Sequence, residues 1–239
     1  MKNEHAGESK GPPSRFAMLV NVLTHVLLLA PVIYIVELGF ENYSLFSWHP
    51  ICMALGAGLL IVEGVYAISG EVYATRKVAR KKRVTLHWIL HLIGLLLMTA
   101  GFVVIVVNKN IHGKSHFVTL HGILGLVTFV LVWAIAGFGV LTNNAQWVYP
   151  RVRPVLLKVV HGFAGIGMTV LLLVTLVNGT FNNWWDHIGA SVTGRALALA
   201  AFAVAAVIVL VKPVIGAVAR TRVLMKKPSP STQLQTNSS

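Results

Sequence analysis

Long apolar stretches separated by short polar connections dominate the pattern of this chain. Each stretch has about the 20 residues that an α-helix needs to cross a bilayer. In lipid, a spanning segment must satisfy its own backbone hydrogen bonds, which favours helices where nothing indicates a closed barrel. The pattern therefore predicts an all-α membrane protein with six transmembrane helices. They are expected over roughly residues 16–37, 50–69, 84–107, 117–141, 155–177 and 191–211.

Composition supports the same fold class. Hydrophobic residues make up 56% of the chain and charged residues 11%, whereas about a quarter of a soluble domain is charged. Because the connections are short, we expect one transmembrane domain over residues 16–215 and no soluble catalytic domain. Residues 1–15 are polar and predict a disordered cytosolic tail. Residues 216–239 are expected to form a cytosolic C-terminal tail.

The distribution of charge predicts the orientation. The net charge of +13 would be compatible with a nucleic-acid partner, but 17 of the 20 basic residues lie in alternate connections and in the two tails. Excess Lys and Arg mark the cytosolic side of a membrane protein, so both termini are expected in the cytosol and no nucleic acid is expected. On this topology only three of the 20 basic residues lie outside: Lys109, Lys114 and Arg195.

Four histidines lie near alternating ends of consecutive spans: His49, His87, His121 and His161. Each would sit roughly 5 Å inside its membrane surface. His49 can then face His121 in the outer leaflet, while His87 can face His161 in the inner leaflet. A single buried histidine is as compatible with polar packing as with ligation, but two pairs matched in depth favour a metal or haem role. His91 shares the helix face of His87, so periodicity alone does not choose between them.

Two bis-histidine haems would use such pairs, since two axial imidazoles leave the iron no vacant position. Glycines follow the histidines on the same helix faces, where missing side chains could admit a planar macrocycle. The alternative is that small residues let helices pack closely. The glycines are Gly56, Gly94, Gly101, Gly125 and Gly165.

Charged and imidazole side chains flank both histidine pairs. On the cytosolic side they could attract an anionic donor, although the positive-inside bias and anionic lipid explain them equally. The candidates for a donor site are Lys77, Lys81, Arg83 and Arg153. On the outer side, imidazoles and an ammonium group could bind a metal chelate, with simple loop solvation as the alternative. These candidates are His112, Lys114 and His116.

Two more polar residues interrupt the spans. His25 has Asn21 one turn away, which favours a hydrogen bond between helices. Glu63 follows His49 by fourteen residues, which predicts the same helix face in a regular α-helix. We expect Glu63 to pair with an Arg of the inner loops, with proton acceptance as the alternative.

Several segments resemble the cytochrome b561 family, particularly its cytochrome b561 domain-containing branch. They are Ser44–Pro50, His87-Trp88, Gly113–Gly122 and Ser191–Gly194. The histidine spacings of 38, 34 and 40 residues match the family as well. The resemblance covers about residues 16–215.

The resemblance implies a central four-helix bundle that holds two b-type haems. His49 and His121 would bind the outer haem and His87 and His161 the inner one, which favours His87 over His91. Family members take an electron from cytosolic ascorbate and pass it to a ferric chelate or to monodehydroascorbate on the far side. The chain lacks the Ala-Leu-Leu-Val-Tyr-Arg type of motif that the main branch carries before the third-helix histidine. The binding residues of the donor therefore stay open.

Two other functions remain open at this stage. The histidines could serve a haem-free transporter as proton or metal sites, although the spans lack the pairs of broken helices typical of many transporters. The chain could also be a non-catalytic haem subunit of a complex. Membrane lipid is one expected partner, and a homodimer is another because the family often forms dimers. We expect a multi-pass protein of an endomembrane (ER, endosomal or vesicle) rather than of the plasma membrane.

Overall fold

A computed structural model describes residues 14–41 and 43–225. Within these ranges there are no strands, and six helices are long and apolar enough to cross a membrane. The predicted fold class and number of spans are therefore confirmed. The helices are α1 (Arg15–Glu41), α2 (Leu45–Ser69), α3 (Arg80–Ile111), α4 (Leu120–Asn143), α5 (Pro154–Gly179) and α6 (Val192–Met225).

The last helix is longer than the hydropathy pattern predicts. It continues to Met225, so residues 216–225, which the sequence analysis assigns to a tail, are helical. Residues 1–13 and 226–239, which form the remainder of the two predicted tails, lie outside the described residues.

Helix α2 is the centre of the bundle. It packs against α1, α3, α5 and α6, and 61% of its apolar window is buried, against 11% for α4. Helices α2 to α5 form the four-helix bundle, and α1 and α6 pack together against its side. Contact between α3 and α4 is sparse, which leaves room for a guest on that side. Many large apolar side chains are exposed on the outer faces of the helices, where lipid would surround them.

Glycines allow α2 and α3 to approach closely. A Cβ atom on Gly56 would lie 2.7 Å from the carbonyl oxygen of Gly94, and one on Gly94 would lie 3.0 Å from the carbonyl oxygen of Gly56. A Cβ on Gly101 would lie 3.0 Å from Cβ of Cys52. Gly56, Gly94 and Gly101 therefore serve close packing of the helices. The alternative prediction, that they leave space for a macrocycle, is wrong at these three positions.

Helix α2 departs from regular α geometry in its middle. Ala54–Ile61 is a π-helix with α-helical turns on either side. Since a π turn uses i→i+5 hydrogen bonds, it changes the register between the residues before and after it. The prediction that Glu63 pairs with an inner-loop Arg is wrong for this reason. Its carboxylate reaches His25 of α1 at 2.6 Å.

The two ends of the bundle differ in charge. One end, here called the basic end, holds the connections 70–79 and 144–153, the start of α1 and the end of α6. The other, called the opposite end, holds the connections 43–44, 112–119 and 180–191. The basic end includes Arg76, Lys77, Arg151 and Arg153, and the opposite end includes Lys114.

Replacing Gly56 with Ala tests the close approach of α2 and α3. We expect a loss of about 1–3 kcal/mol in stability, because the added methyl group meets a backbone oxygen that cannot rotate away. Gly167→Ala on α5 is the matched control. A Cβ there has nothing within 4 Å, so the change should gain up to about 1 kcal/mol from helix propensity. Thermal melting in detergent measures both, and equal melting points would contradict the packing account.

Candidate metal-binding histidine pairs

The structure brings the four predicted histidines together as two pairs at opposite ends of the bundle. The ring centroids of His49 and His121 are 6.0 Å apart, with an interplanar angle of 80°. Those of His87 and His161 are 6.5 Å apart, at 88°. A metal–imidazole bond is about 2 Å long, so two rings on opposite sides of one metal ion have centroids about 6 Å apart. Both pairs therefore have the spacing of two axial ligands.

Backbone carbonyls orient three of the four rings. Nδ1 of His49 donates to Gly101 at 3.0 Å, Nδ1 of His87 donates to Gly64 at 2.9 Å, and Nδ1 of His121 donates to Thr175 at 3.2 Å. A carbonyl oxygen only accepts, so the proton of each neutral ring is on Nδ1. The lone pair of Nε2 is then free to bind a metal, which is the usual arrangement of a ligating histidine.

The bonds of α2 and α3 are reciprocal. His49 of α2 is held by a carbonyl of α3, and His87 of α3 is held by a carbonyl of α2. The Gly56–Gly94 contact between them lets both bonds form, because it brings the two backbones together.

His161 is the exception. Its Nδ1 is buried and has no hydrogen-bond partner among the residues that the structure describes. A buried ring nitrogen without a partner is costly. This fits a ring whose polar contacts are completed by a bound group rather than by the polypeptide.

Open space lies beside one histidine of each pair. A Cβ atom on Gly125 or Gly165 would meet nothing within 4 Å, and each glycine follows its histidine by one helical turn. His49, His121 and Gly125 line a cavity of about 1020 Å³, at the upper end of the range for small-molecule sites. At these two glycines the interpretation as space for a macrocycle is compatible with the structure. The spacing of the rings, the free Nε2 atoms and this space together fit a bis-histidine haem.

His91 takes a different position from His87. Its ring lies 4.0 Å from the ring of His87, and its Nδ1 donates to the carbonyl of His87 at 2.8 Å. It packs on α2, where a Cβ on Gly64 would lie 2.5 Å from the ring. The ring that faces His161 at the spacing of an axial pair is that of His87.

At the opposite end, the predicted outer candidates share the mouth of the large cavity with the His49–His121 pair. His112, Lys114 and His116 all line it. His187 and Lys109 line it too, and the sequence analysis missed both. Helical periodicity carries no signal for His187, because a short helix, Asn183–His187, brings it to the cavity from the distant 180–191 connection.

At the basic end, Lys77, Lys81 and Arg153 are exposed, and Arg83 is half-buried. Arg83 lies one helical turn before His87 on α3. Its guanidinium group lies over Gly70. Its Nε is buried without a partner within the described residues.

The sequence analysis also missed Arg220, which it placed in the C-terminal tail. Helix α6 places the guanidinium group of Arg220 beside Gly162, the residue that follows His161. A Cβ atom on Gly162 would lie 3.2 Å from this group. Like Arg83, Arg220 has a buried Nε with no partner in the described part of the chain. Two donors without acceptors thus flank the His87–His161 pair, and an anionic group would satisfy both.

The chain is similar to known proteins over this region. It matches the family described as eukaryotic cytochrome b561 over residues 48–186, which include all four histidines. It is 33% identical over 184 residues to the transmembrane reductase CYB561D2 of Mus musculus, covering 74% of this chain and 78% of that protein. The human protein of the same name matches with the same values. The transmembrane ascorbate-dependent reductase CYB561 of Ovis aries is 26% identical over 146 residues, covering 59% of this chain and 54% of its own length.

These similarities agree with the geometry. The family typically binds haem b, which the two imidazole pairs fit, and its members are named as transmembrane reductases. Six apolar helices make this chain a multi-pass membrane protein. The chain therefore belongs to the cytochrome b561 family, whose transmembrane oxidoreductases carry electrons across membranes.

Proposed function

We propose that this protein transfers electrons from ascorbate at the basic end to a ferric chelate or to monodehydroascorbate at the opposite end. In this proposal His87 and His161 hold an inner haem b, and His49 and His121 hold an outer haem b. The basic end with both termini faces the cytosol, and the protein resides in an endomembrane.

One observation carries the proposal: two imidazole pairs with ligand spacing lie at opposite ends of one bundle. The separation of the two pairs can be estimated along helix α3. This helix bears His87 and also Gly101, whose carbonyl oxygen accepts a hydrogen bond from His49. Fourteen residues of α-helix span roughly 21 Å. A separation of this size is compatible with one pair near each surface of an apolar core that is about 30 Å thick.

The protein supplies binding and orientation. A bis-histidine haem provides reversible one-electron chemistry with no open iron position. Carbonyl groups fix the rings of His49, His87 and His121, while Gly125 and Gly165 leave space beside the pairs. Arg83 and Arg220 each have a buried Nε donor that no described residue satisfies, and these donors are available to anionic groups at the inner site.

Charge supports the direction of transfer. Lys77, Lys81, Arg83 and Arg153 lie at the same end of the bundle as the inner site, where their positive charge would attract an anionic donor such as ascorbate. Moving an electron outward across an inside-negative membrane is favoured by about 2.3 kcal/mol per 100 mV. His112, Lys114 and His116 line the mouth of the outer cavity, and in this proposal they contact the acceptor.

Replacing His87 or His91 with alanine tests which histidine of α3 binds the inner haem. His87→Ala should lower the haem-to-protein ratio by about half and spare the outer haem, because one axial bond is lost. His91→Ala is the matched control on the same helix face and should keep the ratio of the wild type. Haem content and reduced-minus-oxidised spectra of purified protein measure both. Equal haem loss in the two folded variants would contradict the assignment.

Filling the space beside His121 tests the outer site. Gly125→Leu should remove about one haem per chain, because the side chain enters the cavity that the His49–His121 pair lines. Gly137→Leu on the same helix is the control, since a Cβ there also meets nothing within 4 Å and Gly137 does not line the cavity. If Gly125→Leu retained both haems, the outer haem could not occupy the space beside Gly125.

Reversing charge at the basic end tests the donor site. In the double variant Lys77→Glu and Lys81→Glu, KM for ascorbate should rise roughly tenfold, because the attraction of the anion is replaced by repulsion. Lys114→Glu at the opposite end is the control and should change the kinetics with a ferric chelate instead. Stopped-flow reduction at low and high salt measures both. An unchanged KM in the double variant would remove Lys77 and Lys81 from the donor site.

A further inference from the structure

A polar pair joins α1 and α2 at the side of the bundle, apart from the four histidines of the proposed haem sites. Nδ1 of His25 lies 2.6 Å from Oε1 of Glu63, and the two side chains are 38% and 18% exposed. Ionisable groups within spans are costly, so they are retained in pairs and generally have a function. The electron-transfer site described above uses neither residue.

The pair is connected to the basic end. Tyr66 packs its ring against His25, with centroids 5.7 Å apart, and its hydroxyl accepts a hydrogen bond of 3.0 Å from Nδ2 of Asn21. Asn21 and Tyr66 line a cavity of about 540 Å³ that also contacts Arg76 and Lys212. This cavity extends from the basic end to Tyr66, whose ring packs against His25.

The pair is also connected to the inner histidines. Glu63 directly precedes Gly64, whose carbonyl oxygen accepts the Nδ1–H bond of His87 at 2.9 Å. The carboxylate and the inner site are therefore held in a fixed relation by one peptide unit and one hydrogen bond. A change of charge at the inner site acts on the pair through a medium of low dielectric, where such effects are strong.

The hydrogen bond determines where a proton can bind. Nδ1 of His25 faces a carboxylate oxygen and carries the ring proton as the donor, so Nε2 is the position left for a second proton. Without that proton the pair has a charge of −1, and with it the pair is neutral. An electron that arrives at the inner site makes its surroundings more negative, which favours the neutral pair.

We propose that His25 is a redox-linked proton-binding site: its Nε2 takes up one proton when the inner site is reduced and releases it when the inner site is oxidised again. The inference rests on the proposed function. The donor, an ascorbate monoanion, loses one electron and one proton to become monodehydroascorbate. The electron goes to the inner site, and His25 takes one proton from water at the basic end, so the charge within the membrane stays balanced. On re-oxidation the proton returns to the same water.

Other ionisable groups face this region and must be separated from His25. Around the cavity, Glu71 pairs with Lys212 at 3.5 Å, beside Arg76. Across Gly64, helix α3 contributes His91, next to His87. Substitution of His25 alone distinguishes its proton from those of the other groups.

Potentiometric titration of the purified haem-loaded protein tests the inference. Electrodes and mediators supply the electrons, so the result does not depend on ascorbate. The inner haem is identified as the signal that His87→Ala lacks. Between about pH 5 and 8, its midpoint potential should fall as pH rises, by at most 59 mV for each tenfold change in proton concentration. The potential of the outer haem should not depend on His25.

Three variants sharpen the test. His25→Gln keeps a hydrogen-bond donor for Glu63 and should abolish the pH dependence of the inner haem. Glu63→Gln should weaken it, because the carboxylate no longer stabilises the bound proton. Asn21→Ala is the control; it removes the neighbouring bond to Tyr66 but keeps the pair, and it should retain the pH dependence of the wild type.

Two results would overturn the inference alone: an inner haem in the wild type whose potential does not change with pH, or a pH dependence that His25→Gln leaves intact. The first needs no variant to fold. A wild-type protein that binds no haem would instead contradict the proposed function, and the inference with it.

Discussion

Close contact between α2 and α3 fixes the position of one histidine in each candidate haem site. At Gly56 and Gly94 the two backbones meet with no room for a side chain. This approach allows each helix to hold the histidine of the other, through the carbonyl groups of Gly101 and Gly64. Since the two bonds lie fourteen residues apart along α3, one contact between helices places a ligand near each end of the bundle. The Gly56–Gly94 contact therefore contributes to the geometry of both candidate haem sites.

Much of this fold could be predicted because the bilayer imposes simple rules. Six apolar stretches predict six helices, and the depths of the histidines predict which rings can face each other, as the structure then places them. The pairing of Glu63 could not be predicted, because the π-helix at Ala54–Ile61 changes the register on which the argument relied. His187 and Arg220 were missed for a different reason: they reach their sites by tertiary packing, and neither lies on the face of a ligating histidine.

Electrostatics gives the two ends different chemistry. At the basic end, Arg83 and Arg220 lie near the His87–His161 pair, and the Nε atom of each is buried without a partner among residues 14–41 and 43–225. This arrangement favours anions and disfavours extra positive charge in the bundle. The opposite end carries imidazoles and few cations around a wide mouth. Between them, the His25–Glu63 pair is the intramembrane acid–base contact in the described residues. An electron crossing the bundle thus meets groups of different charge at entry and at exit.

The haem-to-protein ratio of the purified chain, combined with an ascorbate-reduced minus oxidised spectrum, would show whether the two imidazole pairs hold haem. We expect two b-type haems per chain, both reduced by ascorbate, because each imidazole pair has the spacing to bind one iron and the proposed function passes the electron from the inner haem to the outer one. A protein expressed with ample haem that binds none would contradict the account. It would return the four histidines to the role of proton or metal sites in a haem-free transporter.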